Sequence, residues 1–180
     1  MTHDRVISFY SGDVDHRGRT LAQILAGTDD ELEAVHDYIQ WVFPTVAPSP
    51  VNPAAPLVTG STRAAFAARP ELRATLRGSL DRLLAFYGLR RTTEPAGNVR
   101  IEIDTAHFGA RSRVWLRPGN HNHLRLTRIM QSLAALGLEA EARALQRCLL
   151  ADVYEGPGQR QISRETLDFW NAAVASGSNR

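Results

Sequence analysis

The sequence predicts an all-α fold of about seven helices, with a long proline-rich ordered loop and one short strand or hairpin. Three observations carry this. Apolar residues return at helical spacing over most of the chain. Capping residues, glycines and prolines punctuate those runs. Only Val99–Ile103 alternates apolar with charged residues. A chain of 180 residues can bury a core of its own. One domain is therefore expected over residues 1–175, with a disordered tail from Ser176.

Taken in order, Phe9–Gly18 (F-Y-S-G-D-V-D-H-R-G) reads as a turn-rich opening. A short helix follows from Thr20 to about Ala26, closed by Gly27. Thr28 and Glu31 have capping-box spacing, so Thr28 caps a helix predicted to run to Phe43 and stop at Pro44. At ~100° per residue, Leu32, Val35, Ile39 and Val42 share one face of it. His36 with Gln40, and Asp37 with Trp41, form i, i+4 pairs beside and away from that face.

Pro44–Gly60 holds five prolines but also Val46, Val51, Leu57 and Val58, too apolar for a solvated tether. A helix from about Thr62 to Ala68 leads to Pro70, which occupies the first position of a strong amphipathic helix. Leu72, Leu76, Leu80, Leu83 and Tyr87 form its stripe, and Gly88 ends it. Arg90–Asn98 reads as loop, Val99–Ile103 as strand, and Phe108–Leu116 as mixed. A helix from Asn120 to about Leu136 closes on Gly137. The next spans Glu139 to about Val153, followed by a turn over Glu155–Gln159. Ser163 caps a last helix carrying Leu167, Trp170 and Val174.

Composition excludes several classes. All 21 basic residues are arginine, and the formal net charge is only +2. The arginines are interleaved with acids, which gives no basis for bulk nucleic-acid binding. Abundant alanine with no lysine points to a GC-rich, bacterial coding sequence. The single cysteine, Cys148, excludes an intramolecular disulfide and fits a reducing compartment. The N-terminus lacks a signal-peptide pattern and no apolar run reaches the ~18 residues of a membrane span, so a cytoplasmic location and no membrane association are expected.

The polar cluster N-H-N-H-L-R-L-T-R-I-M, Asn120–Met130, is the strongest candidate site. The free N–H groups and dipole of a helix start favour an anion. Arg125 and Arg128, one turn further on, carry planar forks that match carboxylate or phosphate. Asn120, His121, His123, Arg125 and Arg128 are therefore candidate ligand-binding residues, with Gln40 and Trp41 from the earlier helix. Structural alternatives stand beside this reading: the arginines pair with surface acids such as Glu139 or Asp152, and His123 is a hydrogen-bonded core residue. His121 and His123 lie ~200° apart on a helix, so they make a poor metal pair, and no metal or cofactor is expected. His36, Asp37 and His123 are the candidate acid–base residues if there is catalysis.

These clusters and the segments around them resemble the conserved domain of the opioid growth factor receptor family. The matching strings are F-Y-S-G-D at Phe9, G-R-T-L at Gly18, D-D-E-L-E with H-D-Y-I-Q-W-V-F-P over Asp29–Pro44, and N-P-A-A-P at Asn52. L-D-R-L-L-A-F-Y-G-L up to Leu89 and N-H-N-H-L-R-L-T-R-I from Asn120 complete the set, whereas Arg90–Arg113 matches only loosely. What the resemblance implies is limited: the vertebrate member is described as a receptor for a short opioid pentapeptide and is associated with the nucleus, and neither that role nor that peptide is expected to carry over. It supplies no catalytic residues, and this chain carries no basic localisation tract. The leading expectation is a soluble helical domain that binds a small molecule or short peptide with an anionic group, in a polar cleft between the His36 and Asn120 helices. The alternatives are a cofactor-free acid–base enzyme of specialised metabolism and a protein–protein interaction module.

Overall fold

A computed structural model describes residues 4–174, so the tail expected from Ser176 lies outside the described residues. The chain is predominantly helical: among the described residues there are ten α-helices, one π-helical stretch and one two-stranded antiparallel hairpin. Contacts group the chain into two compact units. One comprises residues up to Ser79 with Ala135–Gly137; the other comprises Leu80–Ala134 and the chain from Leu138 onward.

The first unit opens with α1 (Arg5–Tyr10), which overlaps the stretch expected to be turns only at Phe9 and Tyr10. Its start is fixed by Asp4, whose carboxylate accepts from the Val6 and Ile7 N–H groups. The same carboxylate accepts from the hydroxyls of Ser61 and Thr62 in α5 (Gly60–Ala68), so one acid ties the two helices together. α2 (Leu21–Leu25) and α3 (Asp29–Ala34) each begin with a complete capping box, Thr20 with Gln23 and Thr28 with Glu31.

The helix expected from Thr28 to Phe43 is broken. Val35 is extended and residues 35–38 are non-helical before α4 (Ile39–Val42) begins. Interactions along the chain explain the break. The Tyr38 hydroxyl donates to the Leu32 carbonyl, Asn52 donates to the Asp37 carbonyl, and the Asp37 carboxylate is drawn to Arg19. The i, i+4 pairing of His36 with Gln40 and of Asp37 with Trp41 is therefore lost.

The proline-rich segment is held by hydrogen bonds rather than by its apolar residues. Val46, Val51 and Leu57 are exposed and only Val58 is buried. Buried Thr45, Ser49 and Asn52 supply the contacts instead: the Val58 N–H donates to Thr45 and the Asn52 N–H to Ser49.

α6 (Pro70–Tyr87) buries the expected stripe of Leu72, Leu76, Leu80, Leu83 and Tyr87. In the second unit Gly88, with φ +74°, turns the chain into β1 (Leu89–Thr93). β1 pairs with β2 (Val99–Ile103) from Leu89 opposite Ile103 to Thr93 opposite Val99. Much of the loop expected over Arg90–Asn98 is thus strand. The reason is tertiary: β2 lies against α9 (Glu139–Arg147) and the π-helical stretch Cys148–Gly158, which gives the arginine- and threonine-rich β1 a partner to pair with. α7 (Phe108–Trp115) and α8 (Asn122–Ala135) intervene, and Gly137, with φ +83°, follows α8 as expected.

The helix expected over Glu139–Val153 keeps α geometry only to Arg147, then widens into the π-helical stretch. Gly156 interrupts that stretch with φ −102° and ψ −118°, just before Pro157. Ser163 caps α10 (Arg164–Ala172) by accepting from the Thr166 N–H. Among the described residues no helix is long and apolar enough to cross a membrane, and no group of three metal-binding side chains gathers.

Candidate functional site

The candidate residues divide between the two units, and each set has its own network. In the first unit the turn Asp13–Arg19 folds back so that Val14 bridges Thr20. Asp15 is buried at its centre. Its carboxylate accepts from the backbone N–H groups of Arg17 and Arg19, and from the Arg19 guanidinium at 2.6–2.8 Å. Burial pushes that carboxyl upward in pKa, but the Arg19 and Arg17 hydrogen bonds outweigh it and hold it below the usual aspartate value.

Arg19 also reaches Asp37 at 2.8 Å, and Asp37 is further paired with Arg17 and with His16 Nε2 at 3.4 Å. The His16 ring stacks on Trp41 with centroids 5.9 Å apart, and the Arg5 guanidinium lies 4.7 Å from the Trp41 ring. Trp41 is thus covered by side chains of the turn and of α1. His36 is exposed at the bend. Gln40 and Trp41 are 4% and 2% exposed, yet Gln40 Oε1 and Trp41 Nε1 are buried without a hydrogen-bond partner. An acceptor and a donor in that state on consecutive residues are suited to an amide or a bridging water.

In the second unit Asn120 organises the start of α8. Its side-chain oxygen accepts from the Asn122 N–H and from Asn122 Nδ2, while its own Nδ2 donates to the Val114 carbonyl. One free N–H of the first turn is therefore already capped from within the chain. Asn122, fully buried, accepts at Oδ1 from the Tyr87 hydroxyl and from Arg125 Nη1, both at 3.3 Å. Arg125 is buried and Arg128 half-buried; burial pulls the Arg128 guanidinium below the usual arginine value. His121 is half-buried beside them.

His123 is 3% exposed and sits edge-on to both Trp115 and Trp170. Its Nε2 faces the Trp115 carbonyl at 3.1 Å, so that nitrogen must carry the proton. The His123 carbonyl accepts from Trp170 Nε1 and from the Thr127 hydroxyl. Burial lowers the His123 pKa, only partly offset by the Trp115 carbonyl, and His121 adds a further lowering. The imidazole is thus held neutral.

A histidine with a lowered folded pKa stabilises the fold above its ordinary value of 6.5, and that stability is lost as pH falls through the lowered value. The melting temperature should therefore drop on acidification from about pH 7.5 to about pH 5, and His123→Gln should flatten that limb of the curve. An unchanged limb in the variant would show that His123 does not titrate with folding.

His16, Arg17 and Arg19, which engage Asp37, and Asp15, which shares Arg19 with it, were not among the residues singled out by sequence; the H-R-G-R string in a turn was their only signal. Tyr87 and Trp170 were legible as apolar helix positions, but not as residues that lock Asn122 and His123, and Trp115 lay in a stretch read only as mixed.

These features define a mostly helical domain that buries arginine, histidine and amide side chains in polar networks. The chain belongs to the opioid growth factor receptor conserved-region family, whose model matches residues 6–180. It is 32% identical over 173 residues to the mouse opioid growth factor receptor, covering 93% of this chain and 26% of that protein. The human receptor is 33% identical over 177 residues, with 93% and 25% covered. Mouse opioid growth factor receptor-like protein 1 is 27% identical over 150 residues, covering 80% of this chain and 30% of its own length. The chain thus spans about a quarter of the receptors it matches. No solved structure matches it significantly.

Proposed function

We propose that the chain is a ligand-binding domain for a small molecule or short peptide, whose anionic group is received near the start of α8. The observation that carries this reading is a pair of guanidinium groups, Arg125 and Arg128, held out of bulk water on the first turns of that helix. In a low-dielectric setting a fixed cation attracts a carboxylate or phosphate more strongly than at an open surface, and the helix dipole adds to it. In the first unit, taken by itself, the buried Gln40 Oε1 and Trp41 Nε1 leave an acceptor and a donor that an amide or a bridging water would satisfy. The relatives are named receptors, which agrees with ligand binding as the domain's task.

The acid–base alternative would use His36, Asp37 and His123. Asp37 is already engaged by Arg17, Arg19 and His16, and His123 is tied to a carbonyl in the core, which weighs towards binding. An interaction module draws support from the exposed apolar residues Val46, Val51 and Leu57.

Mass spectrometry of small molecules and peptides released from the purified protein would identify a bound species. Calorimetry with that species should then show affinity about tenfold weaker or more for Arg125→Ala and for Arg128→Ala, the scale of one charge-assisted hydrogen bond. Unchanged affinity in both variants would remove the clamp. A released protein in place of a small ligand would favour the interaction module.

A further inference from the structure

The hairpin and α9 shape an open cleft of about 500 Å³, made entirely within the second unit. Its floor follows from spacing on one helix. Ala140, Ala144 and Cys148 recur every four residues, and Ala151 continues the line into the π-helical stretch. Side chains this small leave space that a leucine stripe would fill. Arg143 and Arg147, one turn apart, stand along the same hollow, and β2 sends Arg100 to it beside Val99 and Ile101.

Arg143 and Arg147 are exposed, and among the described residues neither enters an ion pair. Arg100 makes a loose pair with Glu102 at 3.4 Å. Two carboxylates also line the cleft. Asp152 is engaged by the Cys148 thiol, which leaves Glu94 to meet a donor.

We propose that this cleft is a second anion site, distinct from α8, for an organic molecule carrying two phosphate or carboxylate groups. The volume is in the range of small-molecule sites and far exceeds what one inorganic ion needs. Guanidinium groups at i, i+4 stem from Cβ atoms ~5–6 Å apart, a separation that two anionic groups of one ligand can span. The apolar floor of alanines with Ile101 accepts the carbon frame between those groups, and Glu94 takes a hydroxyl or amine.

The test is calorimetry on the full chain with ADP and with citrate as probes. At least one should bind saturably and weaken with added salt. Arg143→Ala/Arg147→Ala should weaken it by about tenfold per arginine. Ala151→Phe, an exposed position, should abolish binding by filling the hollow while leaving both arginines and the melting temperature in place. Arg125→Ala and Arg128→Ala should leave it unchanged. Failure of both probes to bind would overturn the proposal. So would normal binding by the Ala151→Phe variant, since attraction to surface charge alone would survive it. Loss in the α8 variants would assign the anion to α8 and leave this cleft without a role.

Discussion

Replacing Trp115 with alanine is expected to destabilise the protein by about 3–5 kcal/mol, the range for a fully buried large aromatic. The side chain is completely enclosed. Its ring meets the edges of Tyr87 at 5.4 Å and of Phe108 and His123 at 6.3 Å each. Its Nε1 donates to the Tyr87 carbonyl at 3.0 Å, near the C-terminal end of α6, where helix carbonyls have no further partner within the helix. Alanine would open a cavity and strand that carbonyl. Trp115→Phe separates the two effects: it keeps most of the packing and loses only the donor, at about 1–3 kcal/mol. Urea unfolding of both variants would measure the difference. A loss below about 1 kcal/mol in the alanine variant would mean that the site collapses around the missing ring.

Gly88→Ala should be nearly as severe, at about 2–5 kcal/mol. Two costs add there. The residue has φ +74°, a left-handed backbone that costs an L side chain about 1–2 kcal/mol. A Cβ at that point would also lie 2.6 Å from the Cα and 3.1 Å from the N of Phe108. Backbone atoms at the start of α7 cannot swing aside as a flexible side chain can, so overpacking adds about 1–3 kcal/mol. Gly137→Ala is the internal control. Its φ is +83°, but the nearest atom to a new Cβ is the Arg73 Cδ at 3.8 Å, so only the backbone cost of about 1–2 kcal/mol remains. Equal melting temperatures for the two variants would show that the contact with Phe108 relaxes freely.

Where local rules decide conformation, the sequence was legible. Thr28 caps as its spacing to Glu31 requires, and the leucine stripe of α6 is buried throughout because an 18-residue amphipathic helix has one face to hide. Asn120 likewise heads its helix, in the role its place in the string implied. The failures come where distant contacts outvote local periodicity. Nothing near Val35 announces a break; Asn52 and Arg19 impose it from 15 and 18 residues away from Asp37. β1, read as L-R-R-T-T, has no apolar alternation to betray it and exists because β2 supplies its ladder.

The polar site shows the same division. Arginines and amides at the start of α8 could be listed from the string. The Trp170 indole that bonds the His123 carbonyl comes from 47 residues downstream, beyond any local pattern. The cleft beside α9 was not read from the sequence: Val99–Ile103 was expected as a strand, but nothing local brings it against Arg143 and Arg147.

The Cys148 thiol, 2% exposed and pushed up to about 12 by burial and by Asp152, has a further consequence. Electrophiles and peroxides react with the deprotonated sulfur, and almost none of it exists here at neutral pH. The chain's sole sulfhydryl is therefore a poor target for alkylation or oxidation while the fold is intact.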